Sequence, residues 1–116
     1  MCGEQRIYLA SPYSNPDPAL RKARHEACRA VTAKLLEKGH CVFSPITNAV
    51  PLAAKAGRLW GFVHWKEYDL SFLRHWATEL WVLCLDGWDE SKGVLTEIKE
   101  AQELGLHVYF LEAADV

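Results

Sequence analysis

Two acidic residues stand where leucine would be expected. In "DESKGVLTEIKEAQELG", residues 89–105, winding at about 100° per residue brings Val94, Leu95, Ile98, Ala101 and Leu104 onto one apolar arc. Glu97 falls inside that arc, between Ala101 and Leu104. The anomaly recurs upstream: Phe62, Trp65, Phe72 and Trp76 form a stripe with steps of 3, 7 and 4, and the missing position is Asp69. A lone buried carboxylate is costly, so such acids are paired, hydrogen-bonded or facing a cleft. Either one alone also suits a structural role, bonded to a helix end or a core tyrosine. Two together, each on a helix that abuts a ligand-binding edge, favour a site. A carboxylate pair flanking a small-molecule cleft is the equipment for cleaving a glycosidic bond, one acid attacking or stabilising the sugar carbon while the other handles protons.

Ser91 and Gly93 extend this reading. "SKG" opens the helix that carries Glu97, so first-turn N–H groups and the positive end of the helix dipole face the ligand edge, with the serine hydroxyl as a further donor. Gly93 lets a ligand approach the backbone closely. An anion such as a 5′-phosphate fits there, although plain helix capping explains the same residues. From Ser91 to Glu97 the helix rises about 9 Å at ~1.5 Å per residue, a reach suited to a sugar spanning its phosphate and its anomeric carbon.

These residues need a frame to hold them. "RIYLA" (6–10), "HCVFSP" (40–45), "ELWVLCLD" (79–86) and "HVYFLE" (107–112) read as strands. Between them run a helix opened by Asp17-Pro18 and stopped near Gly39, one from about Trp60 to His75, and one from Ser91 to Gly105. Residues 46–59 stay open between a loop and a short helix. Strands apolar throughout, alternating with helices, indicate a small α/β domain with a doubly wound (Rossmann- or flavodoxin-like) parallel sheet of about four to five strands. Residues 1–116 suit a single domain. In such sheets ligands bind beyond the carboxyl ends of the strands, which gathers Ser11 to Ser14, Ser44 to Asn48 and Asp86 to Gly93 on one edge.

Composition narrows the classes. Half of the 116 residues are apolar and 24% are charged, as in a globular protein. A net charge of −2 speaks against a nucleic-acid partner, and Arg21, Lys22, Arg24 and Arg29, interspersed with Glu26, read as a solvated helix face. No apolar run approaches the ~20 residues of a membrane span, and "MCGEQRIYLA" lacks the pattern of a signal peptide, so a cytoplasmic protein is expected. Cys2, Cys28, Cys41 and Cys84 are widely spaced, which suggests reduced thiols. No cluster has metal-ligand spacing, so neither metal nor cofactor is expected.

"IYLASPYS", "DLSFL" and "VLCLDGWDESKGVLTEIKEAQELGLHVYF" resemble the nucleoside 2-deoxyribosyltransferase-like superfamily, which also includes 2′-deoxynucleoside 5′-phosphate N-hydrolases. The most specific element is S-x-G-x-x-x-E, and the resemblance spans nearly the whole chain apart from residues 46–60. It implies Glu97 as the nucleophile at C1′, Tyr8 as the tyrosine that positions it, and Asp69 as the acid that contacts the nucleoside. Ser91 stands where the transferases carry an aspartate for the free 5′-hydroxyl and the nucleotide hydrolases carry serine. An aspartate repels a phosphate and a serine accepts it, so the resemblance implies hydrolysis of a nucleoside 5′-monophosphate by a homo-oligomer, at least a dimer. The hydrolases place a Gly-Ser-Ile-Arg-type loop after the first strand, where this chain has Ala10-Ser11-Pro12-Tyr13-Ser14; Ser11 and Ser14 would then serve as neutral donors.

Trp60, Trp65 and Trp88 are candidates to stack on a base, with core or subunit contact as the plainer role. Trp76 and Trp81 are expected in the core. His64 reads as a surface histidine, and turn formation accounts for Asp86 and Asp89. Three functions remain open: hydrolysis of a (deoxy)nucleoside 5′-monophosphate, deoxyribosyl transfer to a second base, and non-catalytic nucleotide sensing. A flavin carrier fits poorly, because proline interrupts "SPYSNPDP" after two serines.

Overall fold

Four consecutive residues, Ile7–Ala10, form β1, and all four are buried. A strand covered on both faces has no solvent face to alternate with, hence the unbroken apolar run. In the computed structural model, which describes residues 4–57 and 62–116 and the side chains of α3 from Trp65 onward, β1 pairs with β2 (Val42–Phe43) on one side and β3 (Glu79–Leu83) on the other. β3 also pairs with β4 (His107–Leu111). Every pairing is parallel and the order is β2-β1-β3-β4, a sheet of four strands.

Alternate residues of β1 and β3 feed two cores. Leu9 and Leu83 pack against Cys28, Val31 and Leu35 of α1 (Pro18–Glu37). On the opposite face Tyr8, Ala10, Leu80 and Val82 meet Leu70 and Leu73 of α3 (Phe62–His75) together with Val94 and Ala101 of α4 (Lys92–Glu103). Helices therefore cover both faces, as the doubly wound reading requires. The chain runs from β1 outward to β2 and then back across to β3, so the topological switch point lies between the carboxyl ends of β1 and β3.

Local signals set most element ends. The Asp17 side chain accepts from Ala19 N–H at 2.9 Å to cap α1, and Ser91 caps α4 by accepting from Val94 N–H at 3.3 Å. Residues 45–56, mostly within the segment left open above, form a helix, α2 (Pro45–Ala56), capped by Ser44 and containing Pro51. That cap ends β2 after two residues.

Several core assignments shift. Leu95 and Leu104 are exposed while Val94 and Ala101 are buried, because the two leucines lie at opposite margins of the α4 arc. Trp81 is half-buried and packs against the Leu9–Leu83 core, whereas Trp76 is half-buried just past α3, whose buried positions are Leu70 and Leu73, offset from the aromatic stripe. Cys28 and Cys84 are free thiols, but Cys41, at the partly exposed approach to β2, is disulfide-bonded. Trp60, Cys2 and the side chains of Phe62 and His64 lie outside the described residues. No described helix is long and apolar enough to cross a membrane.

Candidate active site

Helix geometry explains how two acids sit in apolar faces without being sealed off. At about 100° per residue, Asp69 is displaced by roughly 40° from Leu73 and 100° from Leu70, at the margin of the buried face of α3. Glu97 likewise lies about 40° from Ala101 on α4. Both side chains are half-buried, and both line one cleft of about 680 Å³ at the carboxyl edge of the sheet.

Tyr8 lies behind Glu97, outside the cleft lining. It is fully buried on β1 and its hydroxyl donates to Glu97 Oε2. Phe43 packs 5.7 Å from the tyrosine ring and stacks at 4.1 Å on Phe72 of α3, which fixes the phenol from the side. Burial and the neighbouring carboxylates, Glu97 first and then Asp69, raise the Tyr8 pKa well above its ordinary value, so the phenol stays a donor.

Electrostatics separate these acids from surface ones. Burial pushes Asp69 up to about 7. Glu97 is raised to about 8, chiefly by burial and further by the Asp69 charge, with the Tyr8 hydrogen bond pulling the other way. Burial thus brings both carboxyls into the range near neutral pH. Asp69 Oδ1 is buried without a hydrogen-bond partner, and so is Ser11 Oγ. Orphaned buried polar atoms are uncommon, and here both residues line the cleft. A bound ligand would satisfy them.

Ser11, Ser14, Ser91 and Gly93 line the same cleft as the two acids. Trp88 does not. It opens a 3₁₀ turn (Trp88–Glu90), its ring lies 5.2 Å from that of Phe110, and it packs onto the core beneath α3 and α4. Trp65 does line the cleft, together with Ile46, Val50 and Ala53 of α2.

Sequence reading misses three cations. Arg21, Lys66 and Lys92 all line the cleft, whereas Arg21 was expected on a solvated face. It belongs to the first turn of α1, and that turn starts at the ligand edge. Its guanidinium is anchored there, Nη1 donating to Asn15 O at 2.6 Å. Position in a first turn at the carboxyl edge is the signal that would have found it. Among the described residues no cluster of His, Cys and acids could hold a metal ion.

A parallel sheet with its switch point between β1 and β3, and a glutamate hydrogen-bonded to a strand tyrosine, are consistent with the nucleoside 2-deoxyribosyltransferase-like superfamily. Among solved structures it is similar to the 2-deoxyribosyltransferase from the psychrotolerant bacterium Bacillus psychrosaccharolyticus, at 28% identity and a TM-score of 0.60, over 92% of this chain and 72% of that one. The chain belongs to the family described as Domain of unknown function (DUF1937), which matches residues 5–113. No curated protein matches it.

Proposed function

We propose that the protein hydrolyses the N-glycosidic bond of a (deoxy)nucleoside 5′-monophosphate. The observation that carries this reading is a cleft lined by both Glu97, which accepts a hydrogen bond from buried Tyr8, and Asp69, whose Oδ1 is unpartnered. Ionised Glu97 attacks C1′ as the bond from C1′ to the base nitrogen breaks. The bonding pair leaves with the base, which takes a proton from Asp69. Asp69, now a carboxylate, accepts a proton from water as that water displaces Glu97 from C1′, releasing the sugar phosphate and restoring both acids. Tyr8 holds the nucleophile in line and stabilises its charge.

Several features support a monophosphate. Ser91 and Gly93 at the start of α4 offer an anion the helix N-terminus without a carboxylate at the cap, and Ser11 and Ser14 stand nearby in the cleft lining. Incubation with a panel of nucleotides followed by chromatography is expected to release free base from at least one monophosphate. A folded protein inert on the whole panel would remove this function.

The likeness to a 2-deoxyribosyltransferase favours a second reading, in which another base intercepts the glycosyl-enzyme. Adding a competing base separates the two, because transfer yields a new nucleoside and hydrolysis does not. Nucleotide binding without turnover on the same panel would instead favour the sensor. In each case we take the protein to act in the cytoplasm as a homo-oligomer, which light scattering of the purified protein tests.

A further inference from the structure

Three cations, Arg21, Lys66 and Lys92, line the cleft, against the acids Asp69, Glu90 and Glu97. Asp69 and Glu97 are displaced toward their protonated forms by burial, which leaves the cleft receptive to an anion. The cations are not equivalent. Lys66 and Lys92 are exposed, whereas Arg21 is half-buried and held by the backbone of its own loop. Its Nη1 donates to Asn15 O at 2.6 Å and reaches Pro16 O at 3.4 Å. Nε and Nη2 are left without a hydrogen-bond partner among the described residues.

A second observation lies at the other end of that loop. Ser11, directly after β1, is 6% exposed, and its hydroxyl has no partner although it lines the cleft. Because β1 pairs with β3, the segment that follows β3 and leads to Ser91 runs beside Ser11. A guanidinium with a free edge, a buried unpartnered hydroxyl and a capped helix N-terminus thus all border the same cleft. Guanidinium presents paired donors that match two oxygens of a phosphate.

We infer that Arg21, together with Ser11, is the specificity determinant that holds the 5′-phosphate and makes the protein prefer a nucleotide to a nucleoside. This rests on the proposed function for the identity of the substrate, but the anion site can be tested without turnover. The loop after β1 contains no arginine, and the charge arrives instead from the first turn of α1. The phosphate sits between Arg21 and the start of α4, and the sugar runs along α4 toward Glu97, about two helical turns away.

Calorimetry with 2-deoxyribose 5-phosphate and with 2-deoxyribose tests this independently of the base. Wild-type protein is expected to bind the phosphorylated sugar at least 10-fold more tightly. Arg21→Ala is expected to lose roughly 30-fold of that affinity, as removal of a charged hydrogen-bond partner does. Arg21→Lys should restore part of it and Arg21→Glu none, with circular dichroism confirming that each variant is folded. In turnover, the ratio of kcat/KM for monophosphate over nucleoside should fall by a similar factor in Arg21→Ala. Equal affinity of wild type for the two sugars, or a phosphate preference that survives Arg21→Glu, overturns the inference. Arg21-dependent binding of the sugar phosphate by a protein that cleaves nothing would instead sink the hydrolase and leave the anion site standing.

Discussion

Glu97 sits near one margin of an apolar arc, and that placement makes it both perturbed and reachable. Removing its charge should be decisive: Glu97→Gln is expected to lower base release by on the order of 10³-fold or more, measured by chromatography under saturating substrate. Tyr8→Phe removes a hydrogen bond that pulls the Glu97 pKa down, so the carboxyl should ionise at still higher pH. The expected result is a kcat/KM about 10- to 100-fold lower with its pH optimum moved to higher pH. Direction follows from role in the wild-type profile as well. The proposed hydrolysis uses ionised Glu97, so activity is expected to rise with pH toward about 8; it uses protonated Asp69, so activity is expected to fall as pH passes about 7. The two limbs overlap into a narrow optimum between those values, belonging to the pair rather than to either acid. A flat profile from pH 5 to 9 would contradict this assignment. At this scale the sequence is informative about the acids, because helical periodicity exposes a carboxylate in an apolar face. The bond between Tyr8 and Glu97 joins residues 89 positions apart, and no local spacing reveals it; only the family resemblance pointed to it.

Among the elements, one guanidinium links two of the loops at the ligand edge. Arg24 of α1 reaches Tyr13 O at 3.5 Å, Ser14 O at 3.2 Å and Asp86 O at 2.9 Å, linking the segment after β1 to the segment after β3. Gly87 makes room for it. A Cβ there would lie 2.7 Å from Arg24 Nη2, on a backbone with φ of +87°. Gly87→Ala is therefore expected to destabilise the fold by roughly 1–3 kcal/mol, read as a lower Tm, and to weaken substrate binding as the two loops separate. An unchanged Tm would show that the link bears no strain. Boundaries at this scale were legible where a cap or an unbroken apolar run marked them, as for β1, α1, β4 and α4, whereas β3 ends at Leu83, short of the expected residue 86. α2 was hidden by Pro51 inside it, since proline ordinarily reads as a break. β2 was overestimated because the Ser44 cap begins α2 where the apolar letters suggested more strand.

The whole molecule carries the cost of its site as a dependence of stability on pH. The folded-state values of Asp69 and Glu97 lie above those of the unfolded chain, so the native state holds protons that the unfolded chain releases. Their contribution is fully present below the unfolded values and is lost as pH rises through about 7 to 8. Wild-type Tm should fall between pH 5 and 9, and Glu97→Gln should flatten that fall, standing roughly 5 °C or more above wild type at the alkaline end. A parallel, doubly wound architecture was legible from apolar strands alternating with helices. The strand order was not, since it depends on pairings between segments far apart in the chain, and so neither was the location of the switch point beside the cleft that Ser11, Asp69 and Glu97 line.

Covalent capture tests the role of Glu97 most directly. Protein mixed with a cleavable monophosphate, quenched in acid and analysed by intact and peptide mass spectrometry, is expected to carry one sugar phosphate on the peptide containing Glu97, and Glu97→Gln is expected to carry none. Base release by Glu97→Gln at the wild-type rate, with no adduct on either protein, would contradict it.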